Sequence, residues 1–265
     1  MNPSVVNTAV AVDAVLGMQS LDSGCADLVL FSPPYDGIRS YSGDWSFSRR
    51  QIGEEAARIT KPGGVLAIVV GDQTKDFAKS MSSFRWAIDM VDHCGWKLFE
   101  CCIYSRHGNP GAWWSKRFRV DHEFILIFFK GQRPSFFDKS HMMIESKHAG
   151  RSFAGTDRTS GGDLRPIAKK VVNPTKCRGT IWGYASSNTE GNKLKMKHPA
   201  TFPDKLASDV VKCFTSPEGL VVDPMCGSGT TLVAAGQAGR RFVGFDVSEA
   251  YIEIANQRIA AEVPE

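Results

Sequence analysis

Apolar and polar positions fall into alternating blocks, short continuous apolar runs between longer stretches with helical spacing. Thr8–Val12 is a short apolar strand, Ala14–Leu21 a helix, and Ala26–Phe31 a continuous apolar strand that ends in Ser32-Pro33-Pro34-Tyr35. A polar, aromatic loop occupies Asp36–Phe47. Gln51–Thr60 has helical spacing and is stopped by Lys61-Pro62-Gly63-Gly64, and Val65–Val70 reads as a buried strand. Phe84–Cys94 is again helical and ends before Gly95, and Lys97–Tyr104 and Glu123–Phe129 are two further strands. The rhythm breaks at Gly131. Residues 131–197 are polar and basic, rich in Gly and Ser, and have no sustained period, with Gly150–Gly162 predicted as a mobile loop. Alternation resumes with a helix at Asp204–Phe214, a strand at Gly219–Val222, a glycine-rich turn over Asp223–Thr231 and a helix through Ala238. A strand at Arg241–Phe245 and a last helix at Glu249–Ala261 follow. Strands alternating with helices predict an α/β sheet flanked by helices, and there are no internal repeats.

Composition narrows the class. The 265 residues are 42% apolar and 23% charged, a globular mixture able to bury a sizeable core in one or two domains. Disorder, collagen and a disulfide-rich miniprotein are excluded. No apolar run reaches the ~18 residues of a membrane span. The apolar start at Val5–Leu16 lacks a basic leader and contains Asp13, so no signal peptide is expected. The 7 cysteines form no CxxC pair and no zinc spacing with histidine, which points to free thiols, no metal and a reducing, intracellular setting. The net charge of +4 hides an asymmetry: residues 131–198 carry 13 Lys/Arg against 5 Asp/Glu. A basic segment in a slightly acidic remainder suggests a polyanionic partner, or a solvated basic surface.

Two corners carry candidate chemistry. In Asp223–Thr231 a buried strand runs into a turn whose Gly227 and Gly229 permit close approach to a ligand, just ahead of a helix N-terminus at Thr230. No Lys follows the last glycine, so it is not a P-loop, and Leu232 stands where a dinucleotide fingerprint needs its third glycine. Asp246, at the end of the next strand, can accept both hydroxyls of a ribose; its other reading is a cap on the last helix through Ser248 or Glu249. Together they favour an adenosine-containing cofactor. The second corner is Ser32–Tyr35. Ligands bind at the carboxyl ends of strands in open α/β sheets. Two prolines remove two N–H donors, leaving the carbonyls of Ser32 and Pro33 able to accept from an amino group, beside the Ser32 hydroxyl and the Tyr35 ring. The plainer reading is a tight turn with a packed tyrosine.

The order of these motifs resembles the S-adenosylmethionine-dependent DNA amino-methyltransferases of the permuted β class. In that family a Ser/Asp/Asn-Pro-Pro-aromatic motif comes first, then a target-recognition region, then the cofactor glycine motif. Here Ser32–Tyr35, the basic 131–197 segment and Asp223–Thr231 follow in that order. Val12-Asp13 resembles the family's cofactor-adenine acid. Asp121-His122-Glu123-Phe124, with its apolar strand and Lys130, is similar to the motif before the recognition region. His198-Pro199-Ala200-Thr201-Phe202-Pro203 resembles the motif holding the methionine end of the cofactor, and Gly244-Phe245-Asp246 supplies the ribose acid.

The resemblance implies a Rossmann-like, mostly parallel sheet with helices on both faces and a circularly permuted motif order. Residues 1–130 would be the catalytic half, 131–197 a target-recognition insertion and 198–265 the cofactor-binding half of the same domain. It implies S-adenosylmethionine as cofactor, held by Asp13, Ser32, Thr201, Phe202, Pro203, Asp223, Met225, Cys226, Gly227, Ser228, Gly229, Thr230 and Asp246, with Ser32, Pro33, Pro34 and Tyr35 catalytic. Ser at the first motif position is associated in the family with the N4 of cytosine, and Asp or Asn with adenine N6. The expected reaction is direct methyl transfer to cytosine N4 in a base rotated out of double-stranded DNA, with Tyr35 stacked on it. The absence of a Pro-Cys dipeptide argues against a carbon-5 methyltransferase, and Cys226 is expected to pack. Lys169, Lys170, Lys176 and Arg178, and a second patch of Arg106, Lys116, Arg117 and Arg119, are the expected DNA contacts; the interleaved Trp113, Trp114 and Phe118 make that patch basic and aromatic, with ordinary packing the other reading of the two tryptophans. His107, His122 and His198 are expected to be structural. Adenine N6, RNA or a protein glutamine as acceptor, and a catalytically dead DNA-binding module, remain as alternatives. A bacterial or phage-infected cytoplasm with nucleoid association, a restriction-modification setting and a homodimer complete the expectation.

Overall fold

The computed structural model describes residues 6–34, 47–107, 117–185 and 201–264. Its chain divides into a main unit, Met1–Asp138 with Thr180–Glu265, and a smaller one, Lys139–Gly179.

In the main unit β1 (Thr8–Ala11) leads into α1 (Ala14–Gln19), capped by Asp13 Oδ1, which accepts from the N–H groups of Val15 and Leu16. β2 (Ala26–Phe31) precedes α2 (Arg49–Ile59), capped by the Ser48 hydroxyl, and β3 (Thr60–Val70). The helix does stop ahead of Lys61–Gly64, and that stretch, expected to precede the strand Val65–Val70, is already the first part of β3. Gly63, at φ +80°, donates to the Lys130 carbonyl and accepts from Ser135, so the stretch pairs with its neighbours. A short hairpin, β4 (Thr74–Lys75) and β5 (Ala78–Lys79), comes before α3 (Ser82–Asp92), β6 (Lys97–His107) and β7 (His122–Phe129).

The smaller unit holds β8 (Met143–Glu145), β9 (Ser152–Arg158), β10 (Leu164–Val171) and β11 (Thr175–Cys177), paired as two antiparallel two-stranded sheets, β9 with β10 and β8 with β11. Much of the expected loop Gly150–Gly162 is therefore strand. Every residue of β9 is exposed, so neither face carries the apolar alternation that would betray a strand.

The chain returns to the main unit as β12 (Ile181–Ala185), α4 (Asp204–Phe214), β13 (Leu220–Asp223), α5 (Thr230–Gln237), β14 (Arg241–Asp246) and α6 (Glu249–Glu262). Among the described residues eight strands form one sheet in the order β1-β14-β13-β2-β3-β7-β6-β12. All run parallel except β7, which is antiparallel to β3 and β6. β12 lies within the stretch read as an insertion yet pairs with β6, and only Trp182 and Tyr184 of its five residues are buried, too short an alternation to stand out in a polar segment.

β2, β3 and β13 are buried along most of their lengths, as parallel strands covered on both faces must be. Neighbouring residues of β14 identify the two covers. A Cβ on Gly17 of α1 would meet the Phe245 ring, and one on Gly244 would meet Leu232 of α5. Side chains of adjacent strand residues point to opposite faces, so α1 and α5 lie on opposite sides. α2 packs on α1 and α3 on α2, while α4 and α6 pack on α5. Among the described residues no helix is long and apolar enough to cross a membrane.

Candidate active site at the carboxyl edge of the sheet

β2 and β13 are neighbouring parallel strands, with Leu28 opposite Val221 and Val29 opposite Val222, so the chain leaves both at the same edge. Ser32-Pro33-Pro34 follows β2 and Pro224–Gly229 follows β13. Their next helices pack on opposite faces, which opens a crevice at this strand pair, the place where open α/β sheets bind ligands. The Thr231 hydroxyl lies 3.3 Å from the Leu30 carbonyl, joining α5 to the strand beneath the Ser-Pro-Pro corner.

The glycine turn is built by unusual backbone and close packing. Gly227 and Gly229 have φ of +49° and +80°. A Cβ at Gly229 would sit 3.1 Å from that of Ala255, so α6 presses on the turn. Gly229 N–H donates to the Cys226 carbonyl at 2.7 Å, and Cys226 N–H to the Phe245 carbonyl at 2.8 Å. Asp246 closes the ring: Oδ2 accepts from Gly227 N–H at 3.0 Å and Oδ1 from Ser248 N–H at 2.9 Å. The cap of α6 is Ser248, whose side chain accepts from Tyr251 N–H, so Asp246 is left facing the turn with a further acceptor site on each oxygen.

Burial dominates the electrostatics here. Asp223 is 2% exposed and its carboxyl is pushed up to about 7, against the pull of the Thr231 hydroxyl and the Met225 N–H and with a further push from Asp246. Burial likewise raises Asp246, opposed by the Ser248 and Gly227 N–H groups. The Cys226 thiol is pushed well above its usual value by burial and by both acids, so it stays protonated and packs.

Of the other expected residues, Ser32 and Pro34 are half-buried and Pro33 is buried, while Tyr35 lies outside the described residues. Asp13 stands at the carboxyl end of β1 beside β14, where Val12 N–H donates to the Asp246 carbonyl at 2.9 Å, and spends Oδ1 on capping α1. Phe202 and Pro203 are buried just ahead of α4, and Thr201 is half-buried; residues 198–200 lie outside the described residues. One residue that the sequence reading missed ties these pieces together. Arg258, wholly buried on α6, donates to the Ser228 carbonyl at 2.9 Å, to Glu262 Oε1 at 2.9 Å and to Asp204 Oδ1 at 3.4 Å. No motif marks it, because an arginine in a helix reads as a solvated charge.

The expected basic residues divide between the two units. Arg106 ends up beside β7, bonded to Glu123 and the Val120 carbonyl, and Arg117 donates to the Phe77 carbonyl; Arg119 is exposed nearby. Lys116, Trp113 and Trp114 lie outside the described residues. Lys169 and Lys170, at a bulge in β10, and Lys176 on β11 are exposed, and Arg178 is half-buried; all four belong to the smaller unit. No metal-binding cluster occurs among the described residues.

With this geometry in place, the comparisons with known proteins are specific. The orphan methyltransferase M.BamHII of Bacillus amyloliquefaciens is 31% identical over 239 residues, covering 88% of each chain. The solved PvuII DNA methyltransferase (cytosine-N4-specific) superposes with a TM-score of 0.68 at 20% identity over 96% of this chain and 92% of its own. TTHA0409 of Thermus thermophilus, complexed with S-adenosyl-L-methionine, gives a TM-score of 0.65 at 21% identity over 97% of this chain and 94% of its own. Residues 26–257 match the N6/N4 methyltransferase model, described as DNA methylase. The chain belongs to that family, the DNA amino-methyltransferases.

Proposed function

We propose that this protein methylates the N4 amino group of cytosine in duplex DNA, with S-adenosylmethionine as donor. The observation that carries the reading is Ser32 at the head of the Ser-Pro-Pro corner, on the strand next to the one that launches the glycine turn. The family model spans N6 and N4 acceptors. The fold is shared with a solved enzyme named cytosine-N4-specific.

The site fits the cofactor. Ser228 Oγ is buried in the glycine turn with no hydrogen-bond partner among the described residues. Asp246 presents acceptor capacity for a ribose diol beside a backbone bent by Gly227 and Gly229. Asp246 and the 225–230 turn would hold the nucleoside, Asp13 the adenine, and Asp223 with Thr201–Pro203 the amino-acid end. S-adenosylmethionine, when bound, supplies a methyl group on a sulfonium centre.

The chain's own groups then address the acceptor. An exocyclic amino nitrogen is a poor nucleophile because its lone pair is delocalised into the ring. The Ser32 hydroxyl and the Ser32 and Pro33 carbonyls accept its hydrogens and draw the nitrogen towards tetrahedral geometry, freeing the lone pair. The gain comes from positioning and from acceptors fixed in advance by two prolines. The target base leaves the helix stack to reach this edge, and Tyr35 stacks on it. The basic residues of both units contact phosphates.

Mass spectrometry of nucleosides from DNA treated with the purified protein and S-adenosylmethionine tests the reading. N4-methylcytosine is expected; N6-methyladenine as the sole product overturns the choice of base.

A further inference from the structure

Along the carboxyl edge the strands β14, β13, β2 and β3 present, in order, Asp246, the glycine turn, the Ser32 corner and the segment Gly71-Asp72-Gln73. Asp13, Asp246 and the glycine turn, the groups fitted to the nucleoside, lie on the β13 side of Ser32. In-line transfer places donor and acceptor on opposite sides of the reacting centre. The acceptor base therefore lies towards β3, and groups at the end of β3 face it.

Gln73 stands there in an unusual state. It is 9% exposed, and its amino nitrogen Nε2 is buried with no hydrogen-bond partner among the described residues. Its backbone is held firmly: Gln73 N–H donates to Ser80 Oγ at 3.1 Å, and its carbonyl accepts from Ser80 N–H at 3.0 Å. Next to it, Asp72 is pinned to the start of α3 by Ser83 N–H at 3.0 Å and the Ser83 hydroxyl at 2.6 Å. A cleft of about 900 Å³ opens at the neighbouring Asp72, lined with it by Phe77, Lys79, Phe84, Arg117 and Phe124. An amide donor buried without an acceptor is costly, and a substrate that brings the acceptor accounts for its place here.

We propose that Gln73 Nε2 donates to the ring nitrogen next to the target amino group, N3 in cytosine. This rests on the reading of Ser32 as the corner that receives that amino group. The bond lies in the base plane and turns the amino nitrogen towards Ser32. It also selects a class of base. Cytosine and adenine carry an unprotonated ring nitrogen beside the N4 or N6 amino group, whereas thymine and guanine carry a carbonyl with a ring N–H beside it at the matching place, a donor set against a donor. Gln73 is thus a specificity-determining residue for cytosine and adenine over thymine and guanine.

Once the methylated site has been mapped by sequencing, the wild-type protein is assayed on a duplex with 3-deazacytosine at the target, which keeps the amino group and replaces N3 by C–H. The expected result is a kcat/KM about tenfold or more below that on cytosine; equal rates overturn the proposal. Gln73→Met, of similar length but without a donor, is expected to bind S-adenosylmethionine normally, to lose methylation by the same factor, and to show no further loss on the analogue. A further loss in that variant overturns the proposal, and if it does not fold the wild-type comparison decides. Should the wild type methylate adenine, the choice of cytosine fails while Gln73 is tested on 1-deazaadenine by the same criterion.

Discussion

Arg258 donates through Nη1 to the carbonyl oxygen of Ser228 at 2.9 Å, so a residue one turn from the end of the last helix holds the glycine turn in place. The same guanidinium reaches Thr230 Oγ1 at 3.4 Å and pairs with Asp204 at the start of α4 and Glu262 on α6. It is 0% exposed, while Asp204 and Glu262 keep partial contact with water. A buried cation of this kind is worth little as a pair but much as a fixed point, because removing it strands its partners.

Arg258→Met is therefore expected to lower stability by about 3 kcal/mol, somewhat softened by the exposure of its carboxylate partners. It should also weaken S-adenosylmethionine binding as the turn loosens. Urea unfolding with and without the cofactor measures both. Arg258→Lys should recover little, since one ammonium cannot serve four separated acceptor groups.

Ser32→Ala is expected to abolish methylation while leaving S-adenosylmethionine affinity within about threefold, because it removes one acceptor from the amino group and no packing volume of consequence. Tyr35→Ala should lose most turnover in the same way. Calorimetry for the cofactor and labelled-methyl transfer to DNA separate the two effects; near-normal turnover in Ser32→Ala removes the hydroxyl from the mechanism.

Asp246→Asn should keep the fold, since an amide oxygen can still accept from Gly227 or Ser248, yet weaken the cofactor by about ten- to a hundredfold through loss of charge-assisted bonds. Unchanged affinity in calorimetry assigns Asp246 to the turn alone.

Asp223 makes a pH prediction whose sign follows from its direction of shift. Its carboxyl is raised from 3.8 to about 7 in the fold. Between those values the native chain keeps a proton that the unfolded chain has released, so stability falls as pH rises through this window and is level on either side. Asp246, also raised, acts in the same sense. Asp223→Asn should flatten that decline. Urea midpoints of the cofactor-free protein at about pH 5 and about pH 7.5, for wild type and variant, measure the difference in slope.

Much of the fold was legible from the residues in order. β2 and α4 occupy the expected spans Ala26–Phe31 and Asp204–Phe214, because a strand buried on both faces and a helix with one apolar stripe each write an unambiguous period. The Ser-Pro-Pro corner, the glycine turn and Asp246 were legible for a different reason: prolines, paired glycines and an acid at a strand end are local devices whose chemistry travels with the residue. β9, β10 and β12 were not, since exposed or five-residue strands leave no usable alternation.

What the chain order alone determined was the set of parts: which segments become strands, where they stop, and which stops carry acceptors, acids or glycines. Only the tertiary structure decided that β13 lies beside β2, that Gln73 stands on the far side of Ser32 from the glycine turn, and that Arg258 is a buried tie. Adjacency between strands so distant along the chain, and the burial of a charge or an amide, are settled by how whole elements pack. No local pattern of side chains encodes them.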